Sequence, residues 1–197
     1  MEAFEQFVAV ALESEGFVVS PAVKFRVRRE AAKKAYSEVQ THGYEVDLVG
    51  ARRNRLVLAT VKSFFGSRGV VASQVMGTDP TPRLRKLYAL INEPQVRDGV
   101  IAEACRLYGY RPNQIELRLY AGRFAAPKAG THEAAIREWC AQQHCGCGPI
   151  RVFGVGEVVE QVRQAAAARQ YRDNPAIVGM KVLEAAGLLP RVLPSER

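Results

Sequence analysis

The chain has little of what marks several large function classes. No run of about 18 apolar residues occurs among its 197 residues, so no membrane-spanning helix is expected. Its three histidines, His42, His132 and His144, form no pair at metalloprotease spacing, and neither a phosphate-cradling glycine loop nor a nucleophile elbow is present. That argues against a zinc protease, an ATP-driven machine and a serine hydrolase. Cysteine is scarce, with three of the four crowded into Cys140, Cys145 and Cys147 around His144. A Cys-x-Cys spacing without a second knuckle is a weak zinc signal, so reduced thiols beside a helix end are the plainer expectation. Acidic residues are also in deficit. Against 28 Lys and Arg stand 20 Asp and Glu, a net charge of +8, which favours a polyanionic partner, nucleic acid first. The N-terminus Met1-Glu2-Ala3-Phe4-Glu5 is acidic and unlike a secretory signal, so cytoplasmic residence is expected.

What is present reads as alternating helices and strands. Phe4, Phe7, Val8, Ala11 and Leu12 repeat at helical spacing up to Gly16. Two extended pieces follow, 17–19 and 23–28. In the second, Val23, Phe25 and Val27 alternate with Lys24, Arg26 and Arg28. Residues 30–41 predict a helix-prone or irregular connection, and 64–77, with Gly66, Gly69 and Gly77, reads as a mobile connection. Helices are predicted from Arg83 to Ile91, over 94–108, 132–143, 156–169 and 175–187, and strands over 115–120 and 150–155. The expected fold is an α/β sandwich with a mixed central sheet and an early antiparallel hairpin. A core domain is expected over 1–172, followed by a C-terminal helical extension over 173–197.

The most informative stretch is 43–63. Two apolar strands, 44–50 and 56–62, are joined by a basic turn and carry polar groups where a buried strand should have none. A two-residue turn at Arg53-Asn54 sets Asp47 opposite Thr60 and Glu45 opposite Lys62. Since residues two apart share a face, Glu45, Asp47, Thr60 and Lys62 are expected to converge on one side. Val46, Leu48, Val57, Ala59 and Val61 then occupy the other.

Asp47, followed after a turn by Thr60-Val61-Lys62 and preceded by a helix bearing Glu5, resembles the PD-(D/E)xK nuclease superfamily. Mrr-type restriction enzymes and Holliday-junction resolvases are its nearest flavour. The resemblance covers residues 1 to about 65 and departs at Thr60, where that family has Glu or Gln. It implies a restriction-endonuclease-like α/β/α sandwich and a Mg2+-dependent (Mn2+ as alternative) DNA endonuclease that hydrolyses phosphodiester bonds. Asp47, Glu5 and the Val61 carbonyl would be metal ligands, Glu45 replacing the missing acid, with Lys62 orienting or activating the attacking water. A homodimer is expected because two strands must be cut. The basic residues expected to meet phosphates are Lys24, Arg26 and Arg28, the turn Arg52, Arg53 and Arg55, and Arg83, Arg85 and Lys86. The competing reading is a catalytically inactive protein of the same fold. It would bind nucleic acid, or a protein partner through the apolar C-terminal helix.

Overall fold

The first helix, α1 (Ala3–Ser14), forms where the sequence repeats apolar residues at helical spacing, and Phe4, Val8, Ala11 and Leu12 are all buried. Gly16, at φ +85°, then turns the chain back, a conformation glycine takes without strain. The computed structural model describes residues 2–30, 39–126, 129–167 and 173–190. Within them α1 leads to β1 (Val18–Glu30), which pairs antiparallel with β2 (Val39–Arg52). The turn at Arg53-Asn54 joins β2 to an antiparallel β3 (Arg55–Lys62). Then come α2 (Ala72–Val75), α3 (Pro82–Lys86), α4 (Ala89–Asn92), α5 (Pro94–Tyr108), a 3-10 turn at Pro112–Gln114, and β4 (Ile115–Ala121). The chain continues through α6 (Ala129–Gln142), a small hairpin of β5 (His144–Cys145) and β6 (Gly148–Pro149), β7 (Arg151–Gly154), α7 (Val155–Ala167) and α8 (Pro175–Ala185).

The five-stranded sheet runs β1-β2-β3-β4-β7, antiparallel across the first three strands and parallel from β3 to β7. One face packs Leu56, Leu58, Leu117 and Leu119 against α5 and α6 through Val100, Ala104, Ile136 and Cys140. The other packs Val57, Ala59 and Val61 against Val8 and Leu12 of α1, Val158 and Val162 of α7, and Ile177 and Met180 of α8. The result is the expected three-layer α/β/α sandwich with a mixed sheet and an early hairpin. Each fully buried Leu or Val contributes about 1.5–3 kcal/mol, so β3 and β4, covered on both faces, form the rigid centre. No described helix is long and apolar enough to cross a membrane.

Local departures from the sequence reading have physical causes. The two extended pieces at 17–28 are one strand, because Pro21 and Ala22 continue the ribbon with Ala22 at φ +52°. Segment 64–77 is ordered: Val70 bridges to Phe124 and α2 lies within it. The helix predicted over 83–91 is two short helices, because Asn92 Nδ2 donates to the Gln74 and Arg85 carbonyls (2.8 and 3.1 Å) and holds the break. In the region 30–41, residues 31–38 lie outside the described residues, and β2 already begins at Val39.

Candidate active site

The β2–β3 hairpin has the register that its turn predicts, from Arg52↔Arg55 to Leu48↔Ala59. There the ladder ends. Asp47 Oδ2 accepts the Val61 N–H at 2.7 Å, in the place of a backbone carbonyl, and Lys62 Nζ donates to the same oxygen at 3.3 Å. Asp47 and Lys62 therefore meet at the point where β2 leaves β3, with side chains 24% and 18% exposed. Both are reachable by a ligand, and both are far drier than a surface pair. The Lys62 carbonyl accepts the Gly122 N–H of the β4 side at 2.8 Å. Because carbonyls alternate sides along a strand, the Val61 carbonyl faces the opposite gap, beside Asp47. Asp47 Oδ1 receives no hydrogen bond from the described residues.

The expected four-residue convergence is not realised. Glu45 does not oppose Lys62, because β2 beyond Asp47 follows β1 instead of β3. Its partner is Lys24, with Lys24 Nζ to Glu45 Oε2 at 3.8 Å on an exposed surface. The ribbon also changes face here. Leu48 and Val19 pack in the α1-side cluster, whereas Val46, Phe25 and Val27 pack in the α5-side cluster. Val46 thus leaves the face it was expected to share with Leu48. The change falls at Ala22 and Asp47, which lie between the pairs Pro21↔Leu48 and Val23↔Val46. A positive φ at a non-glycine residue is a strained conformation held by its surroundings, and Ala22 has one.

Thr60 lies on the same face as Lys62 by strand parity but is buried. Glu5 is engaged at the start of α1, where its Oε2 accepts the Glu2 N–H at 2.9 Å. The acid that α1 brings to the end of β3 is Glu2, which accepts from Ser63 Oγ at 2.9 Å. Three residues, just under one helical turn, separate the expected acid from the one in contact. Among the described residues no three His, Cys, Asp or Glu side chains stand close enough to hold a metal ion, and this covers Asp47, Glu45 and Glu5 as well as the cysteine cluster. Burial pushes the Cys140 thiol up to about 12 and raises Cys145 and Cys147 as well. Burial thus favours the neutral thiol at these positions. Gly146, at φ +61°, presses so closely on the Ile115 carbonyl that a Cβ would lie 2.1 Å from its oxygen.

The basic residues fall into three places. Lys24, Arg26 and Arg28 are exposed on the outer half of β1, on the face away from α5. Arg83 and Lys86 are exposed on α3, while Arg85 donates to the Asp79 carbonyl. The turn arginines sit at the far end of the eight-residue β3, roughly 23 Å from Lys62 at the usual rise per strand residue. Arg53 is exposed there. Arg52 lies over the Phe17 ring at 4.6 Å and Arg55 donates to Glu116 at 3.0 Å, so both are committed to structure.

A charged cluster that the sequence reading missed fills the α1 side of β4. The alternation Ile115-Glu116-Leu117-Arg118-Leu119-Tyr120 reads as a strand, and every residue of β4 is buried. Arg118, 2% exposed, grips Glu15 with two nitrogens (2.6 and 2.9 Å), and its Nε donates to Glu116 at 2.7 Å. Arg151 also donates to Glu116, at 3.3 Å, and the Tyr120 hydroxyl lies 3.1 Å from Arg118. Burial alone would raise the Glu116 carboxyl, but the bonds and charges of Arg118, Arg55 and Arg151 outweigh it and hold it below the ordinary carboxylate value. Burial pushes Tyr120 up to about 12. The missed signal was topological: a central parallel strand is covered on both faces, so a charge within it requires a partner.

No family model matches the chain, and no curated protein matches it. A solved crystal structure of a protein of unknown function, AF1548, is similar over 94% of this chain and 77% of its own length, at 16% identity and a TM-score of 0.40. That likeness is too loose to carry an argument.

Proposed function

We propose that this chain is a metal-dependent DNA endonuclease of the PD-(D/E)xK type, working in the cytoplasm as a homodimer. The observation that supports it is the contact of Asp47 with Lys62 across the parting ends of two neighbouring strands. Mg2+ takes hard oxygen ligands, keeps several waters and is commonly held by one or two carboxylates together with substrate phosphate. Asp47 Oδ1 and the Val61 carbonyl fit a site of that kind, in which DNA completes the ligand set. Glu45 and Glu5 stand elsewhere and are not needed for it. When bound, such a cation supplies an activated water and neutralises charge on the phosphate. Lys62, held by Asp47, offers its ammonium to the oxygen on which charge develops. Arg26, Arg28, Arg83 and Lys86 supply phosphate contacts whose strength falls with salt.

A second reading has its own support. Thr60 is buried at the position where the family carries its second acid, which favours a nuclease-like protein that binds DNA without cutting it. A protein partner on α8 and the turn that follows it, where Val182 and Leu188 are 60% and 71% exposed, is compatible with either reading. Plasmid cleavage with Mg2+ or Mn2+, run beside DNA binding across a salt series, separates them. Cutting by the parent that Asp47→Ala and Lys62→Ala slow strongly, with binding retained, supports the endonuclease. Salt-sensitive binding without cutting supports the silent binder, and affinity unaffected by salt counts against both.

A further inference from the structure

The pairing of β1 with β2 outruns the rest of the sheet. Their ladder continues from Val23↔Val46 to Glu30↔Val39, whereas β2 and β3 part after Leu48↔Ala59. These pairs form a two-stranded ribbon about 25 Å long at the usual rise per residue. One face of it is fixed to the protein. Phe25, Val27 and Val46 share a buried cluster with Val100 and Ala104 of α5. Gly99 packs so closely that a Cβ there would lie 2.7 Å from Val27 Cγ1, and Tyr44 Oη accepts the Leu90 N–H at 3.1 Å. A ribbon backed in this way keeps its shape when a ligand meets the opposite face.

That opposite face sets Lys24, Arg26 and Arg28 of β1 across from Glu45, Gly43 and Thr41 of β2, and all six are exposed. Lys24 is paired with Glu45 at 3.8 Å, but neither Arg26 nor Arg28 has a hydrogen bond or ion pair among the described residues. Glu103 of α5 feels the charge of Arg26, yet its carboxylate is held by Arg106 at 2.7 and 2.9 Å. Gly43 is the residue that the fold does not explain. It sits inside a strand, where glycine weakens the ladder, its φ is not positive, and nothing stands within 4 Å of where its Cβ would be. Neither backbone conformation nor packing requires glycine there. Its missing side chain leaves the floor beside Arg26 bare, and an interior strand glycine of this kind marks the close approach of a ligand.

The major groove of B-form DNA is about 12 Å wide and admits a two-stranded ribbon, and its commonest base-specific contact is an arginine fork on guanine O6 and N7. Arg26 and Arg28 share one face about 7 Å apart along β1, with the bare floor beside the first. Among the described residues this face carries no aromatic ring on which an unpaired strand would stack. We infer that the β1–β2 ribbon lies in the major groove of duplex DNA, with Arg26 and Arg28 forking to guanines over Gly43. This rests on the DNA-binding half of the nuclease reading and adds base recognition to the phosphate contacts of the two arginines. Asp47 stands at the root of the ribbon, about 14 Å from Gly43 along β2, so a duplex lying along the ribbon reaches the candidate cation site.

The probe is a pool of random-sequence duplexes titrated with the full chain by fluorescence anisotropy, without divalent cation so that no cutting intervenes. A second pool carries 7-deazaguanine for guanine, which keeps every phosphate and base pair but removes N7. The parent is expected to bind the guanine pool about fivefold or more tightly than the deaza pool, the low end of what one bidentate pair discriminates. Arg26→Lys combined with Arg28→Lys keeps the charge and loses the fork, so the two pools should become equal. Gly43→Val gives the strand a better-suited residue and fills the floor. It should weaken binding to the guanine pool by a similar factor with no fall in melting temperature. Equal affinity of the parent for both pools overturns the inference, since phosphates alone are then met. So does a preference that survives in the double-lysine variant, or tighter binding to the matching single strands. A parent that fails to cut plasmid with Mg2+ leaves this ratio untouched, and a ratio of one leaves the cation site standing, so the two readings fall separately.

Discussion

Two places in this molecule put charges inside strands, and they are built in opposite ways. On β4, Arg118 and Glu116 are closed over by helices, and each meets several partners within the cluster that also holds Glu15, Arg55, Arg151 and Tyr120. At the ends of β2 and β3, Asp47 and Lys62 stay partly exposed, and Asp47 keeps one oxygen unbonded by the described residues. Charge density alone does not mark a reactive site. The first cluster is saturated and enclosed; the second is ordered by only one backbone N–H and one ammonium, both on the same carboxylate oxygen.

Breaking the closed cluster should produce the largest effect on stability. Arg118→Ala leaves Glu15 and Glu116 without their shared guanidinium and is expected to cost about 3–5 kcal/mol, the range for removing one partner from a buried pair, read as a fall in the chemical-denaturation midpoint. At the open pair the loss should appear in rate. Lys62→Ala and Asp47→Ala are expected to slow DNA cutting about 10²–10³-fold, comparable to removing one preorganised donor from a transition state, with a smaller fall in melting temperature than Arg118→Ala; the larger fall of the two is expected in Asp47→Ala, which leaves the Val61 N–H without its acceptor. A variant at either residue that melts as early as Arg118→Ala would erase the distinction.

Smaller effects sharpen the contrast. The Glu116 carboxyl is held below its ordinary value, so its stabilising contribution is complete above the ordinary carboxylate value and is lost as pH falls through the lowered one. Melting temperature should therefore drop on acidification below about 4.5, and Glu116→Gln, already destabilised, should lose part of that pH dependence. Smallest of all is Glu45→Ala. An exposed pair such as Lys24–Glu45 contributes about 0–1 kcal/mol, and cutting should stay near the parent rate. A collapse of activity in this variant would put Glu45 back at the cation.

Much of the frame was legible before any coordinates. The Arg53-Asn54 turn sets the β2–β3 register, and with it the meeting of Asp47 and Lys62. What escaped was the behaviour of β2 beyond Asp47. Strand periodicity assumes a flat ribbon, but here β2 leaves β3 and changes face with β1 at Ala22, a residue whose type gives no warning of positive φ. Glu45 was lost for that reason. Glu5 gave way to Glu2, three residues earlier, because Glu5 turns back to accept the Glu2 N–H at the start of α1 while the Glu2 carboxylate reaches Ser63. Glu116 and Arg118 were passed over because alternation on β4 looks the same whether the polar face meets water or a second layer of helices.

The central claim is that Asp47 and a DNA phosphate together hold the cation. The most direct measurement is Mn2+ binding followed by electron paramagnetic resonance, with a cleavage-resistant phosphorothioate duplex added to the parent and to Asp47→Ala. The account predicts that the free-ion signal falls sharply when the parent meets the duplex, and falls no further than with duplex alone in Asp47→Ala. Equal uptake of Mn2+ by the two proteins would contradict it.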